Sequence, residues 1–227
     1  MTIVQKTQKI LSDLKKQGTE RNRQGMARFG INVDRAFGVS VTWLRKHAKQ
    51  YGHDHELALA LWKTNKHEAM IMSALVDELD KVTPKQMDAM VKKFNSWDLC
   101  DLCCANLFDK TPYAWAKALQ WSKSNKEFTR RAGFALMACL AWHDKQASDE
   151  KFIPFLKEIL RYSHDDRNFV RKAVNWALRQ IGKRSKGLNK LAIETAEIII
   201  DSPHKSAQWI AKDALKELTD HKVVNRI

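Results

Sequence analysis

The chain has 227 residues, with 40 Lys or Arg against 26 Asp or Glu and a formal net charge of +14. Such an excess opposes compaction unless it serves an acidic partner, and the phosphate backbone of nucleic acid is the commonest one. Eight Gly and four Pro are too few for a many-turned β protein,, and apolar runs such as Leu57–Trp62 and Ala196–Ile200 fall far short of the roughly 20 residues that span a bilayer.

The amino terminus carries Lys residues but no apolar signal-peptide region. We therefore expect a cytoplasmic, nucleoid-associated monomer with no membrane partner and no small-molecule cofactor. No linker rich in Gly, Ser or Pro interrupts the chain, so residues 1–227 are expected to form one elongated domain,.

Apolar residues recur at every third or fourth place along the chain, which is the helical period. The first helix is expected at Ile3–Lys16, and a stretch with Gly and Asn around Phe29–Asp34 breaks the pattern. Ser40 is placed to cap a helix over Val41–Tyr51, which Gly52 ends,. Helices then follow at about 55–63, 66–81, 84–94, 97–108 and 112–122. The last group spans about 126–142, 149–162, 168–183, 188–201 and 203–218. Pro84, Pro112 and Pro203 fall near expected helix starts, where a missing N–H costs nothing,.

Three of these helix entries look alike. Asn125-Lys126-Glu127-Phe128-Thr129-Arg130-Arg131-Ala132 aligns with Asp166-Arg167-Asn168-Phe169-Val170-Arg171-Lys172-Ala173, about 40 residues later. Asn65-Lys66-His67-Glu68 opens a third helix in a similar way. Two helices per unit of about 40 residues is the HEAT period, and such units stack side by side. The expected fold is all-α, a HEAT-like helical repeat solenoid (an α-α superhelix) with a basic concave face. A face of that kind binds proteins as readily as DNA.

The 168–183 helix carries the most information. At about 100° per residue, Val170, Val174, Ala177, Leu178 and Ile181 share one side, while Lys172, Trp176, Arg179, Gln180 and Lys183 gather on the other. Trp176 then serves either as packing for a neighbouring repeat or as an aromatic platform within a phosphate-binding stripe. Arg131 holds the repeat position of Lys172 and is expected to face the same way, with Arg130 beside it.

In Asn95-Ser96-Trp97-Asp98-Leu99-Cys100-Asp101, Ser96 can cap the helix and Asp98 suits its first turn,. Asp101 lies one turn beyond Trp97 among apolar residues, where a carboxylate is costly without a cationic or hydrogen-bonding partner. A structural ion pair with an arginine of the next repeat would satisfy it equally well. Cys100, Cys103, Cys104 and Cys139 read as buried reduced thiols. The eight His form no ligand set, so no metal is expected.

Met26-Ala27-Arg28-Phe29, Ser96 to Asp101, Phe128 to Ala132 and Phe169 to Arg179 together resemble the DNA alkylation repair family, the HEAT-like alkylpurine DNA glycosylases of the AlkD type. The resemblance spans most of the chain. It implies an enzyme that hydrolyses the N-glycosidic bond of cationic alkylated purines, such as 3-methyladenine and 7-methylguanine, in duplex DNA. It also implies that the base is not flipped into a pocket.

On this resemblance Asp101 matches the catalytic carboxylate, and Trp97 and Trp176 match the aromatic pair against the lesion's deoxyribose. Arg131 matches a groove arginine on the DNA backbone, with Arg130, Lys172, Arg179 and Lys183 as further DNA-binding residues. Phe29 stands where the family carries Tyr, and Ser96-Trp97 where it carries two adjacent Trp. Related branches bind DNA, sometimes branched DNA, without catalysis. The alternative is therefore a non-catalytic HEAT-repeat protein that binds DNA structure or scaffolds repair.

Overall fold

The computed structural model describes residues 1–227, which form helices joined by short loops with no strand. They divide into two compact units, Met1–Thr111 and Pro112–Ile227. The first unit holds α1 (Ile3–Gln17), α2 (Glu20–Arg28), α3 (Val41–Ala48), α4 (His55–Lys63), α5 (His67–Val76), α6 (Pro84–Val91) and α7 (Trp97–Asn106). The second holds α8 (Ala114–Ser122), α9 (Glu127–His143), α10 (Ile153–Tyr162), α11 (Asn168–Gly182), α12 (Lys186–Ile200), α13 (Lys205–Leu218) and α14 (His221–Val224). No helix is long and apolar enough to cross a membrane.

Local signals set most starts in the first unit. The Ser40 hydroxyl accepts the Trp43 N–H at the head of α3, Asp54 accepts from Leu57 at the head of α4, and Thr83 caps α6 with Pro84 as its first residue,. At the centre is α5, buried at every residue from His67 to Ala74 and packed against α1, α3, α4 and α7. It stops at Val76, short of the expected Lys81, because Asp77 is extended. The Asp77 carboxylate instead accepts from His55 Nδ1 at 2.6 Å, Gln86 Nε2 at 2.7 Å and the Glu78 N–H at 2.9 Å.

Helical periodicity does not mark α2. Thr19 caps it, but none of its residues is buried. Polar ties hold it instead, with the Thr19 N–H and Asn22 Nδ2 donating to the Gly38 carbonyl at 3.2 and 3.0 Å. A buried carboxylate secures the adjoining loop. Glu68 is fully buried and accepts N–H bonds from Phe37, Gly38 and Val39.

The second unit is a two-layer stack. One layer contains α8, α10 and α12, the other α9, α11 and α13, and each helix of the first layer packs on its successor in the second. The equivalent residues Phe128 and Phe169 stack with ring centroids 5.6 Å apart, so the sequence repeat is also a packing repeat. Within α9 every residue from Ala132 to Ala141 is buried.

Close approach of α8 and α9 depends on Gly133, where an added Cβ would lie 2.3 Å from the Ser122 nitrogen and 2.9 Å from the Ala118 carbonyl oxygen. Gly133→Ala should therefore lower stability by about 1–3 kcal/mol through overpacking. Helix propensity alone would raise it by about 1 kcal/mol. The sign of the shift in thermal midpoint decides between the two effects.

All four cysteines are buried reduced thiols, and burial pushes the Cys103 thiol well above its ordinary range. No group of His, Cys, Asp and Glu is arranged to hold a metal ion.

Candidate nucleic-acid interface

In the first unit the site elements meet at the start of α7. Ser96 takes the cap position in extended backbone, but its hydroxyl makes no cap bond, contrary to the sequence expectation. Asp98 turns inward instead. His67 Nε2 and Asp98 Oδ2 are 2.8 Å apart and both residues are buried, which clamps α5 to α7.

Burial opposes charge on both partners, but their pairing outweighs it, so His67 titrates above its usual value and Asp98 below,. The His67 contribution to stability is complete below 6.5 and disappears as pH rises through its raised folded value,. That of Asp98 is complete above 3.8 and disappears as pH falls through its lowered folded value,. Thermal stability should therefore peak between those two limits. In His67→Gln the fall on the alkaline side should vanish; an unchanged alkaline limb would show that the pair does not set it.

Trp97 is half-exposed, and its indole N–H donates to the Phe29 carbonyl at 2.9 Å. That bond fixes the ring and ties the end of α2 to α7. One turn further along α7 is Asp101, also half-exposed, while Cys100, Cys103 and Cys104 are fully buried. The helix thus turns its thiols into the core and leaves Trp97 and Asp101 with access to solvent. Beside Trp97 opens a pocket of about 620 Å³, lined also by α2.

In the second unit, α11 divides as its periodicity predicts. Val170, Val174, Ala177, Leu178 and Ile181 are fully buried, Lys172 is exposed, and Trp176, Arg179, Gln180 and Lys183 are half-exposed. Two of the basic groups are already engaged. Arg179 Nη1 and Lys183 Nζ each lie 2.6 Å from one carboxylate oxygen of Glu217 on α13. Burial works against the charged Glu217, but these two cations hold its carboxyl below the usual range.

The arginine pair of α9 faces inward. Arg130 lies over the Tyr162 ring at 4.3 Å and pairs with Asp165 at 2.6 Å, a carboxylate shared with Arg167. Burial raises the cost of that charge, yet Arg167 and Arg130 keep Asp165 ionised below its ordinary range. Arg131 is only 5% exposed and donates from Nη1 to the Phe169 carbonyl at 2.6 Å. The repeat alignment places Arg131 on the same open face as Lys172. The structure separates them, because the first turn of α11 closes over Arg131 and supplies it with an acceptor.

Nonlocal partners of this kind, Glu68, His67 and Glu217 among them, are not marked by helical periodicity. For Glu217 the signal is its offset of 38 residues from Arg179, near one repeat, whereas the backbone N–H partners of Glu68 leave no such mark.

A solved structure described as a new family of proteins related to the HEAT-like repeat DNA glycosylases, with affinity for branched DNA structures, superposes on this fold. Its TM-score is 0.77 and its sequence identity 20%, over 93% of this chain and 95% of that one. The fold is thus the HEAT-like helical repeat. The sequence matches the family of DNA alkylation repair enzymes over residues 10–218, and the chain belongs to that family. None of the curated proteins compared with it matches.

Proposed function

We propose that the protein is a monofunctional DNA glycosylase that hydrolyses the N-glycosidic bond of cationic alkylated purines, of the 3-methyladenine and 7-methylguanine type, in duplex DNA. The observation that carries this reading is the pairing on α7 of a solvent-accessible carboxylate, Asp101, with a fixed aromatic ring, Trp97, one turn away. An alkylated purine already bears positive charge and leaves without a general acid. The transition state moves that charge onto the sugar, where a preorganised carboxylate is complementary to it. Asp101 also serves to orient the attacking water, and the Trp97 face favours a developing cation.

In the second unit, Lys172 and Trp176 supply an exposed cation and an aromatic surface for the DNA backbone and sugar. Arg130 and Arg131 hold α9 to its neighbours, while Arg179 and Lys183 reach phosphate by exchanging Glu217 for it. No cofactor is required. The test is incubation with methylated duplex DNA and measurement of the bases released. Release at the uncatalysed rate would reject the glycosylase.

A second reading is favoured by the affinity for branched DNA described for the similar structure. On it the protein recognises DNA structure, or scaffolds repair, without chemistry. Tight binding to branched DNA with no base release would select this reading.

A further inference from the structure

The pocket beside Trp97 is not needed by the chemistry just proposed, and one residue of its wall is unexplained by folding. Gly25 sits inside α2, on the face formed with Asn22, Met26 and Phe29, and all four line the pocket. Glycine is a poor helix residue because it loses more backbone freedom on folding than any other. Here no close approach demands it, since a Cβ at Gly25 would meet no atom within 4 Å. What a side chain there would do is occupy the pocket.

The walls have a definite chemistry. Met26, Phe29, Val39, Ile71 and Trp97 present apolar and aromatic surface, and Phe29 is 74% exposed. Arg21 and Arg28 also line the pocket, both exposed and neither in an ion pair with a carboxylate. Seven residues apart, they share one side of α2. Aromatic walls beside unneutralised arginines complement a flat, apolar group carried on an anionic chain. The volume of about 620 Å³ exceeds what a single base needs and leaves room for its sugar,.

We propose that this pocket receives one unstacked nucleotide of a DNA strand. The base lies against Phe29 and Trp97, the flanking phosphates meet Arg21 and Arg28, and Gly25 keeps the space clear. The proposal rests on the reading that DNA is the partner, but not on catalysis. Trp97 would then serve two neighbours, with its hydrogen bond to the Phe29 carbonyl holding both aromatic walls in register.

The test uses undamaged DNA, so base release plays no part. Fluorescence anisotropy would compare a fully paired duplex with the same duplex carrying one unpaired nucleotide, for the wild type, Gly25→Trp and Gly25→Leu. The wild type should prefer the unpaired nucleotide by about tenfold, the order expected for one base stacked on aromatic side chains. Both variants should lose that preference while binding the paired duplex as before, with unchanged helical circular dichroism. A 2-aminopurine at the unpaired position should be quenched by the wild type and not by Gly25→Trp.

No preference in the wild type, or a preference that survives in both variants, would overturn the pocket while leaving DNA as the partner. Failure to bind either duplex would overturn both readings. A wild-type dimer that dissociates in Gly25→Trp, seen by sedimentation, would instead make a second copy of the chain the occupant and reject the nucleotide.

Discussion

Asp101→Asn is expected to reduce base release from methylated duplex DNA by about 100- to 1,000-fold, the order seen when one preorganised electrostatic group is lost. Affinity for DNA should be unchanged or slightly higher, since the substitution removes a negative charge from the proposed DNA-binding surface. The separation of rate from affinity is the informative part. The thermal midpoint of the variant, measured alongside, reads separately what this half-exposed carboxylate contributes to the fold. Wild-type rates in the variant would remove Asp101 from the mechanism.

Glu68→Ala should be the most damaging single change to the first unit, at about 3–5 kcal/mol, as for a buried charged group removed from its partners. The carboxylate receives the N–H groups of Gly38 at 2.7 Å, Phe37 at 2.9 Å and Val39 at 3.1 Å, and Gly38 and Val39 are themselves buried. Its loss strands those donors away from water, at about 1–3 kcal/mol for each one left unsatisfied. Glu68→Gln keeps an oxygen for part of the cradle but turns an amide donor toward the rest, so it should fall between alanine and wild type. Urea unfolding followed by circular dichroism measures the series. A loss under about 1 kcal/mol for alanine would show that the 37–39 loop is held by other means.

Much of the fold could be read from the sequence because its determinants are local. Ser40, Asp54 and Thr83 cap helices through their own side chains, and the apolar stripe of α11 falls at Val170, Val174, Ala177, Leu178 and Ile181 as its period requires. α2 stayed invisible for the converse reason. It buries no residue, so there is no apolar stripe to see. The overrun of α5 past Val76 has a similar origin, since what ends that helix is the set of bonds Asp77 makes to His55 and Gln86.

The candidate site divides along the same line. Trp97 and Asp101 share a helix side by spacing alone, and so do Lys172 and Trp176. Arg131 turns inward to a carbonyl 38 residues away, and Arg179 pairs with Glu217 at the same separation. Neither partner is specified by its immediate neighbours in the chain. Ser96 failed as a cap because the first turn of α7 belongs to the Asp98 pair with His67, a contact between helices 31 residues apart.

The two cations that Glu217 holds on α11 bear on how the second unit would answer to salt. Binding of a polyanion is driven in part by mobile ions expelled when protein cations replace them, and the steepness of the salt dependence counts those replacements. Arg179 and Lys183 already carry a counter-ion that cannot diffuse away, because it belongs to α13. A polyanion that recruits them must displace a tethered carboxylate, which afterwards stays close by as a competitor. The surface would therefore bind with a gentler dependence on ionic strength than a net charge of +14 suggests, and would release its partner more readily.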